Sequence, residues 1–473
     1  MTQFDTVIGL EVHVQLATQS KIFCRCSTAT DAPPNTNICP VCAGYPGVLP
    51  RFNQHALALG VRVALALGCT INRRIYFERK NYFYPDLPKN YQISQYKMPL
   101  GERGILALPS GKTVAITRVH LEEDAGKLVH KESSSLVDLN RTGTPLLEIV
   151  TEPDIASAQE AFDYLTYLKL TLQYVGASSC DMEKGFLRCD ANISLKAHGA
   201  SALGIKVELK NMNTFRGVRD ALTYEETRQC DAITRGETII QETRLWDAAK
   251  LKTIVMRTKE EAHDYRYFPE PDLLDFSISA ADIDVQRESI RELPLARRIR
   301  FLSQYTLSEK ETDVLLSDVF LADFFESAVA SYSSAKDIAN WLLGVFLEQV
   351  HSLPAKFNSV KITPSHFARV VQYFCENKLN NLAVKKVLVA AIATDDDIDL
   401  IIAREGLAQV SGADALSRFV EETVRENERA VKEYLEGKDQ ALMFLVGQVM
   451  KKSKGNANPK VARELIVKRV PRP

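Results

Sequence analysis

Apolar and polar side chains alternate along several short runs in the first part of the chain. The clearest run is 4–16, where polar Glu11 and His13 alternate with apolar neighbours, and the runs 189–195 and 205–209 repeat this scheme. A period of two residues is typical of a strand that buries one face. We therefore predict an antiparallel sheet with one covered face.

Apolar residues at three-and-four spacing predict amphipathic helices, which dominate the chain after about residue 293. The predicted helical runs are Ser157–Val175, Phe215–Arg235, Ser317–Tyr332, Ile338–Gln349, Pro364–Asn377 and Leu382–Ala393. These patterns predict an α+β fold. A mixed, mainly antiparallel sheet domain covers 1–292, an all-helical domain covers 293–407, and a small helical tail domain covers 408–473.

The charge of the chain is balanced overall but polarised at its end. The 473 residues include 59 Lys and Arg and 60 Asp and Glu, a net charge of −1, which excludes a globally basic nucleic-acid coat. Between Lys451 and Pro473, however, eight basic residues and one acid give a balance of +7. Lys451, Lys452 and Lys454 are candidate contacts to nucleic-acid phosphates, because clustered positive charge attracts phosphates. A solvated helix face is the open alternative.

The sequence predicts a cytoplasmic protein that does not enter a membrane. The most apolar run, Leu57–Gly68, is interrupted by Arg62 and is shorter than the roughly eighteen residues of a membrane span. The first ten residues lack the basic cluster of a secretory or transit signal. In the cytoplasm thiols stay reduced, so the nine cysteines are not expected to form disulfides.

Four of the cysteines have the spacing of a metal site. Cys24 and Cys26 form one close pair, and Cys39 and Cys42 form a second pair after a proline-rich loop. Two such pairs can bring four thiolates to one zinc ion, which would leave no open position for a substrate. We therefore predict a structural zinc ion.

Polar residues share the exposed faces of the predicted strands. Glu11 shares a strand face with His13, Asp190 with Asn192, and Glu208 with Lys210. Three adjacent carboxylates stand at 122–124. Carboxylates that converge on a sheet could hold Mg-ATP, because Mg²⁺ prefers oxygen ligands and retains phosphate oxygens or waters. A solvated strand face is the open alternative for each pair.

Several common catalytic motifs are absent from the sequence. There is no G-x-G-x-x-G, and Gly111-Lys112-Thr113 lacks the earlier glycine of a phosphate-binding loop because that position is Leu106. No serine or cysteine stands in a glycine-flanked nucleophile elbow. Dinucleotide binding and serine-type hydrolysis are therefore not indicated.

Longer motifs carry a resemblance over essentially the whole chain. They are Val7–His13, Asn81–Asp86, His120–Lys127, Asp138–Val150, Arg188–Ser194, Glu208–Asn211, Asp264–Asp272, Gly447–Met450 and Lys454–Pro459. In order and content, these segments resemble the GatB family, a subunit of the glutamyl-tRNA(Gln)/aspartyl-tRNA(Asn) amidotransferases.

The resemblance implies a sheet-containing cradle domain, a helical domain and a helical tail that contacts tRNA. It also implies that ATP, with Mg²⁺, phosphorylates the side-chain carboxylate of Glu or Asp on a misacylated tRNA, and that ammonia then displaces the phosphate. The ammonia would come from an amidase subunit that hydrolyses glutamine, in a heterotrimer with a small third subunit. Whether Glu-tRNA(Gln), Asp-tRNA(Asn) or both are used is left open by the sequence.

The resemblance assigns roles to individual residues. Glu11, His13 and Glu123 would be Mg²⁺ ligands and catalytic residues. The neighbouring catalytic and binding residues would be Asp190, Asn192, Glu208 and Lys210. Lys80 is a candidate phosphate contact. Arg141 either binds a carboxylate or phosphate through its two-pronged guanidinium or forms a structural ion pair within a turn.

Two other classes of function remain alternatives. The chain could be a non-catalytic tRNA-binding module of a translation complex, which the strand-face carboxylates disfavour. It could also be an ATP-dependent ligase that works alone, which the lack of an ammonia-generating site disfavours. Assays with glutamine and with free ammonia, for the chain alone and with its partners, would distinguish these possibilities.

Overall fold

The computed structural model describes residues 4–258, 264–352, 360–394, 396–408, 413–453 and 457–471. The chain divides into two compact units, Met1–Arg297 and Arg298–Pro473. The finer division into 1–292, 293–407 and 408–473 stays a prediction.

The first unit contains strands and helices, and the second unit is helical. The strands are β1 Phe4–Gln15, β2 Thr70–Ile71, β3 Arg74–Ile75, β4 Glu78–Asn81, β5 Tyr91–Ser94, β6 Gly101–Ala107, β7 Thr113–Glu123, β8 Lys127–His130, β9 Ser135–Asp138, β10 Pro145–Thr151, β11 Leu187–Ala197, β12 Val207–Met212, β13 Glu242–Asp247, β14 Lys252–Thr258, β15 Phe268–Pro269 and β16 Phe276–Ser277. The helices of this unit are α1 Gln54–Ala66, α2 Ala158–Tyr174, α3 Phe215–Thr234, α4 Ala280–Ser289 and α5 Pro294–Gln304, the last of which runs on into the second unit. The α+β prediction is confirmed.

The helices of the second unit include matches, to within a few residues at each end, for the four runs predicted between 317 and 393. The helices of this unit are α6 Glu309–Leu316, α7 Val319–Ser331, α8 Ala335–Trp341, a π-helical segment Leu342–Phe346, α9 Leu347–Ser352, α10 Pro364–Cys375, α11 Asn381–Ala393, α12 Ile398–Arg404, α13 Ala413–Glu426, α14 Glu428–Leu435, α15 Asp439–Lys452 and α16 Pro459–Arg469. Side-chain caps fix several starts, as where Ser308 and Glu311 form a capping box at α6. Within the described residues, no helix combines the length and apolarity of a membrane span.

A nine-stranded sheet organises the first unit. Its strand order is β14-β13-β12-β11-β1-β10-β7-β6-β2. Every neighbouring pair is antiparallel except β12 and β13, which are parallel. The long strand β1 lies at the centre, between β10 and β11, so residues far apart in sequence meet beside it.

The two faces of the sheet differ in the way that the alternation in β1 predicts. Leu10 and Val12 are buried in a hydrophobic core together with Leu59 of α1, Leu165 of α2 and Leu222 of α3, so helices cover this face. Side chains of alternate residues point to opposite faces of a strand, which directs Glu11 and His13 to the other face. That face, opposite the helices α1, α2 and α3, carries the candidate site.

Candidate functional site

Strand pairing brings five ionisable side chains together on the face opposite the helices α1, α2 and α3. Glu148 of β10 pairs with His13 of β1 on one side and with His120 of β7 on the other. Glu11 lies two residues from His13, and Glu122 lies two residues from His120, so all five share a face. We call Glu11, His13, His120, Glu122 and Glu148 the sheet-face cluster.

The side chains of this cluster are within reach of one another. His13 Nε2 lies 3.3 Å from Glu148 Oε2, and 3.6 Å from both Glu11 Oε1 and Glu122 Oε1. His120 Nε2 lies 3.3 Å from Glu148 Oε2 and 3.6 Å from Glu122 Oε2. The cluster is buried at Glu122 and Glu148 and opens toward Glu11, whose side chain is 34% exposed.

The pKa values show how the cluster holds its charge. Burial opposes a charged imidazole, but the neighbouring carboxylates outweigh burial and raise the pKa of His13 to about 8 and of His120 to about 9. In return, and against burial, the two imidazoles hold the pKa of Glu148 well below its usual range and lower that of Glu122. Burial, together with the charge of Glu148, raises the pKa of Glu11.

The donor set fits a divalent cation. Glu11, His13 and Glu148 form one group of possible ligands, and His120, Glu122 and Glu148 form a second, with the ligand atoms of each group within 4.8 Å of one another. A cation here would replace the protons that the imidazoles now carry, because metal ligands must be deprotonated. The Nδ1 atom of His120 is buried without a hydrogen-bond partner among the described residues.

Glu123 does not join this cluster, contrary to the role that the resemblance implied. As the neighbour of Glu122 on β7, it points to the opposite face of the strand. Its carboxylate forms a buried ion pair with Lys89 and accepts a hydrogen bond of 2.8 Å from the backbone N–H of Ile93. Glu122 and Glu148 therefore occupy the positions next to Glu11 and His13 that the prediction gave to Glu123.

A second polar group continues the same face on β11 and β12. Asp190 pairs with Glu11, and Asn192 pairs with Glu208. The ammonium group of Lys210 lies 2.5 Å from Asp190 Oδ2 and 3.1 Å from Glu208 Oε1. Burial opposes the charge of Lys210, but these two carboxylates raise its pKa, so it stays positive. The structure thus brings together all four of these residues.

A cavity of about 890 Å³ opens beside this group and is lined by Arg141, Arg188, Asp190 and Asn211, among others. The guanidinium of Arg188 donates a hydrogen bond of 2.8 Å to Asp124, while its side chain remains 38% exposed. Burial opposes the charge of Arg188, but Asp124 raises its pKa. A charged, partly exposed guanidinium in a cavity can bind a carboxylate or a phosphate.

The contacts of Arg141 are mainly structural. It donates hydrogen bonds of 2.9 Å to the carbonyl of Ala125 and 2.5 Å to that of Gly126, and its Nε lies 3.6 Å from Asp124. These contacts fix the turn after β7. Arg141 also lines the cavity, so it shapes the wall that a ligand would meet.

Lys80 approaches the sheet-face cluster from β4. Its ammonium group lies 4.9 Å from the ring centre of Tyr265. Burial opposes its charge, but Glu122, the nearby tyrosines and Glu148 raise its pKa, so Lys80 faces the cluster as a cation. This position is compatible with a phosphate contact.

The four cysteines also converge. Their sulfur atoms all lie within 4.8 Å of one another, with Cys42 Sγ 4.0 Å from Cys26 Sγ and 3.9 Å from Cys39 Sγ. In a tetrahedral site with Zn–S bonds of ~2.3 Å, sulfurs are about 3.8 Å apart, so the spacing fits a zinc ion. Hydrogen bonds from the Cys24 thiol and the Cys39 backbone N–H lower the pKa of Cys42 to about 4. We call these four residues the cysteine cluster.

The basic side chains at the end of the chain are only partly available for binding phosphates. Lys451 is exposed in the last turn of α15. The ammonium group of Lys452 lies 3.2 Å from Glu422 and 2.8 Å from Glu426, both on α13. Arg469 likewise lies 3.2 Å from Glu421. Lys454 lies outside the described residues.

Comparison with known proteins assigns the chain to a family. Residues 6–284 match the GatB/GatE catalytic domain, and residues 323–470 match the GatB domain. A relative from Clostridium beijerinckii, which carries the name of an aspartyl/glutamyl-tRNA(Asn/Gln) amidotransferase subunit, is 48% identical over 474 residues, covering 99% of each chain. The chain belongs to the GatB family of aspartyl/glutamyl-tRNA(Asn/Gln) amidotransferase subunits.

Other members of the GatB family give the same result. The subunit of the same name from Brevibacillus brevis is 45% identical over 471 residues, covering 98% of each chain. The one from Caldanaerobacter subterraneus subsp. tengcongensis is 45% identical over 468 residues, again covering 98% of each. The resemblance inferred from the sequence motifs is confirmed.

Four residues of this candidate site were not selected from the sequence, and one of them, Glu122, is the immediate neighbour of the selected Glu123. Glu148 is the one acid in an apolar strand, 145–151, which is a signal that its side chain has a specific partner. His120 and Arg188 each stand within a motif already noted, but only the strand register reveals that they join the cluster and the cavity. The alternation pattern gives the face of a residue, and the strand order gives its neighbours.

Proposed function

We propose that this chain is the subunit of a tRNA-dependent amidotransferase that activates the side-chain carboxylate of Glu on tRNA(Gln), Asp on tRNA(Asn), or both, with ATP. Ammonia from a partner amidase subunit then converts the activated carboxylate to the amide, within a cytoplasmic complex that includes a small third subunit. The sheet-face cluster, which continues into the Asp190–Lys210 pair and the cavity, is the observation that carries this proposal.

The chemistry needs a positive environment around a carboxylate and a phosphate. A carboxylate is a poor acyl donor, and phosphorylation supplies a leaving group. Lys80, Arg188 and Lys210 are the cations that would hold the two anions, because preorganised charges stabilise the transferring phosphoryl group without further reorganisation. Their positions around the cluster and cavity support this role.

Mg²⁺ would be held at the sheet face by one of the two ligand groups, Glu11, His13 and Glu148 or His120, Glu122 and Glu148, each of which supplies two carboxylates. When bound, the ion neutralises phosphate oxygens as charge builds in transfer. The exposed edge at Glu11 leaves space for phosphate and water, which is the manner in which Mg²⁺ is usually bound. Either ligand group differs from the sequence-based prediction in that Glu123 is not part of it.

Amide formation requires removal of one proton from the attacking ammonia as the phosphate leaves. Glu11 suits this task because it is the most exposed carboxylate of the sheet-face cluster, at 34%, and so the one that ammonia can reach. Glu11 also lies at the open edge of the cluster, opposite Asp190 in the sheet register. We assign Glu11 as the general base of this step, with the ion then held by the second ligand group, His120, Glu122 and Glu148.

Two further features complete the proposal. Zinc bound by the cysteine cluster would be structural, since four thiolates fill a tetrahedral coordination shell. The basic end, with Lys451 foremost, would bind the phosphate backbone of the tRNA. Lys452 and Lys454 belong to the same proposed surface, although Lys452 first has to leave its carboxylate partners.

The proposal is tested in the assembled complex with Glu148→Gln. This change keeps the shape of the side chain but removes the charge shared by both ligand groups. We expect ATP-dependent amide formation to fall at least ~100-fold with glutamine and equally with free ammonia, while basal glutamine hydrolysis persists. Exposed Glu152, just beyond the end of the same strand, provides the matched control Glu152→Gln. Full rescue by ammonia would contradict the proposal, because the defect would then lie in ammonia supply.

A further inference from the structure

A fully buried lysine lies between the cysteine cluster and the catalytic face. Lys21 is 0% exposed, and its ammonium group is 3.5 Å from Cys42 Sγ and 3.3 Å from the carbonyl oxygen of Leu139. Burying an ammonium is costly unless it is paired and hydrogen-bonded. Its two described partners belong to two different parts of the molecule, a candidate metal ligand and the loop 139–144.

The loop 139–144 is also tied to the cysteine-containing segment by three asparagines. The N–H of Leu139 donates to Asn35 Oδ1 at 2.8 Å, the N–H of Asn37 donates to Asn140 Oδ1 at 2.8 Å, and Asn140 Nδ2 donates to the carbonyl of Pro33 at 2.7 Å. The residues 33–37 stand between the two cysteine pairs. The cluster that gathers those pairs therefore also determines where these asparagines lie.

On its other side, the loop positions the cavity wall. Arg141 holds the carbonyls of Ala125 and Gly126, and the N–H of Gly143 donates to the carbonyl of Asp124 at 2.8 Å. Asp124 in turn orients Arg188, which lines the cavity beside Asp190. A continuous set of hydrogen bonds thus runs from the cysteine cluster to the guanidinium that faces the cavity.

We propose that Lys21 is a positioning residue that couples metal occupancy of the cysteine cluster to the loop 139–144 and so to Arg188. Four thiolates on Zn²⁺ carry a net charge of about −2, and the buried ammonium of Lys21 compensates part of it. The same ammonium holds Leu139 in place. When the metal leaves, less negative charge faces Lys21, so one anchor of the loop weakens. This inference rests on the proposed zinc site.

The test compares the zinc-loaded full-length chain, in its complex, with Lys21→Met and Lys21→Arg variants. Methionine keeps the volume of the lysine but removes its charge, whereas arginine keeps the charge. We expect Lys21→Met to release zinc to a chromogenic chelator ~10-fold or more faster than wild type. Lys21→Arg should restore part of the retention, and exposed Lys131→Met, the charge control, should behave as wild type.

The coupling itself is read by hydrogen exchange of the 139–144 amides. Their protection should fall ~10-fold in zinc-loaded Lys21→Met, and to the same extent when zinc is chelated from wild type, while the amides of β10 keep theirs. Because Lys21 acts on the site through Arg188, the KM for ATP should rise more than kcat falls.

The possible outcomes distinguish this proposal from the zinc assignment and from the proposed reaction. Absence of zinc from wild type would overturn the zinc assignment and the coupling together. Bound zinc with unchanged 139–144 protection in Lys21→Met would overturn the coupling alone, and amide formation by wild type would still test the proposed reaction. If Lys21→Met also lost protection in β10, the variant would be generally destabilised and could not test the coupling. The comparison of wild type with and without zinc then replaces it, and equal protection of the 139–144 amides in those two states would overturn the proposal.

Discussion

The sheet-face cluster and the cysteine cluster both gather metal-binding side chains, but they are built in opposite ways. The cysteine cluster takes all its members from one stretch of 19 residues, 24–42, and a loop folds back to close it. The sheet-face cluster takes its members from three strands that pair side by side, β1, β10 and β7. One site is closed within a local segment, and the other exists only when the sheet has formed.

Their chemistry differs accordingly. The cysteine cluster offers four equivalent soft ligands and no open position, as suits a structural ion. The sheet-face cluster mixes three carboxylates with two imidazoles, opens at Glu11, and adjoins the cations of the cavity. In the proposed function, the cysteine cluster is structural and the sheet-face cluster takes part in the reaction. Variants in and around the two clusters test this division of roles.

The largest expected effect is the loss of stability in Glu123→Gln, at a residue that adjoins the sheet-face cluster but does not belong to it. Glu123→Gln leaves the buried ammonium of Lys89 without its charged partner, and breaking such a pair costs about 3–5 kcal/mol of unfolding free energy. We expect a clear loss of thermal stability with little change in divalent-cation affinity. Unfolding and cation titration of the same preparation measure both. Weakened cation binding at wild-type stability would return Glu123 to the metal site.

Glu11→Gln should show the reverse behaviour. Its side chain is partly exposed and, within the described part of the chain, forms no buried ion pair with a lysine or arginine, so stability should change little. Ammonia-dependent amide formation should nevertheless fall ~100-fold, about 2.7 kcal/mol of transition-state stabilisation. Steady-state assays beside thermal unfolding check this. A variant that is destabilised but fully active would assign Glu11 to the structure rather than to the reaction.

The pH dependence of stability should identify the imidazoles. The pKa values of His13 and His120 are raised to about 8 and about 9, above the ~6.5 of an unfolded histidine. Their contribution is therefore fully present below pH ~6.5 and is lost as the pH rises through 8 to 9, by at most about 2 kcal/mol for His13 and about 3 kcal/mol for His120. Saturating Mg²⁺ should cancel this loss, because a cation replaces the protons. Urea unfolding across this range, with and without Mg²⁺, measures it, and a flat profile without Mg²⁺ would contradict the raised pKa values.

Strand patterning explains how much could be predicted. The alternation in β1 correctly placed Glu11 and His13 on one face, and cysteine spacing correctly brought four thiols together, since both signals are local. Helices such as α10 and α11 were also predicted within a few residues. Glu148 could not be chosen, because its role depends on β10 lying between β1 and β7. Glu122 and Glu123 are adjacent in sequence, and only the register shows which of them faces the cluster.

Loss of zinc should lower thermal stability more than it lowers amide formation. Cys39→Ser deletes one ligand of four, so we expect lower zinc content and a melting temperature reduced by roughly 5 °C. Amide formation should remain measurable in the folded fraction. Metal analysis under reducing, zinc-replete conditions checks the first point, and wild type without zinc would exclude a structural zinc ion. Cys375→Ser, far from the cluster in sequence, is the matched control.

The smallest expected effect lies in the basic tail. Lys451→Gln should weaken tRNA binding and lower the slope of log affinity against log salt by ~0.7–0.9, the value of about one phosphate contact. Lys452→Gln should change the slope less, because Glu422 and Glu426 already occupy its ammonium group. Filter binding at several salt concentrations measures both. If both variants kept the wild-type slope, this surface would be a solvated helix face that does not contact tRNA.

The proposed mechanism depends above all on phosphorylation of the side-chain carboxylate at the sheet-face cluster. The most direct measurement uses Glu-tRNA(Gln) or Asp-tRNA(Asn) with oxygen-18 in that carboxylate, ATP and ammonia. Phosphorylation followed by displacement transfers one labelled oxygen to each inorganic phosphate released. We predict this label in wild type, in proportion to the amide formed, and its loss with Glu148→Gln. Amide formed by wild type with unlabelled phosphate, or with the label in AMP, would contradict the mechanism.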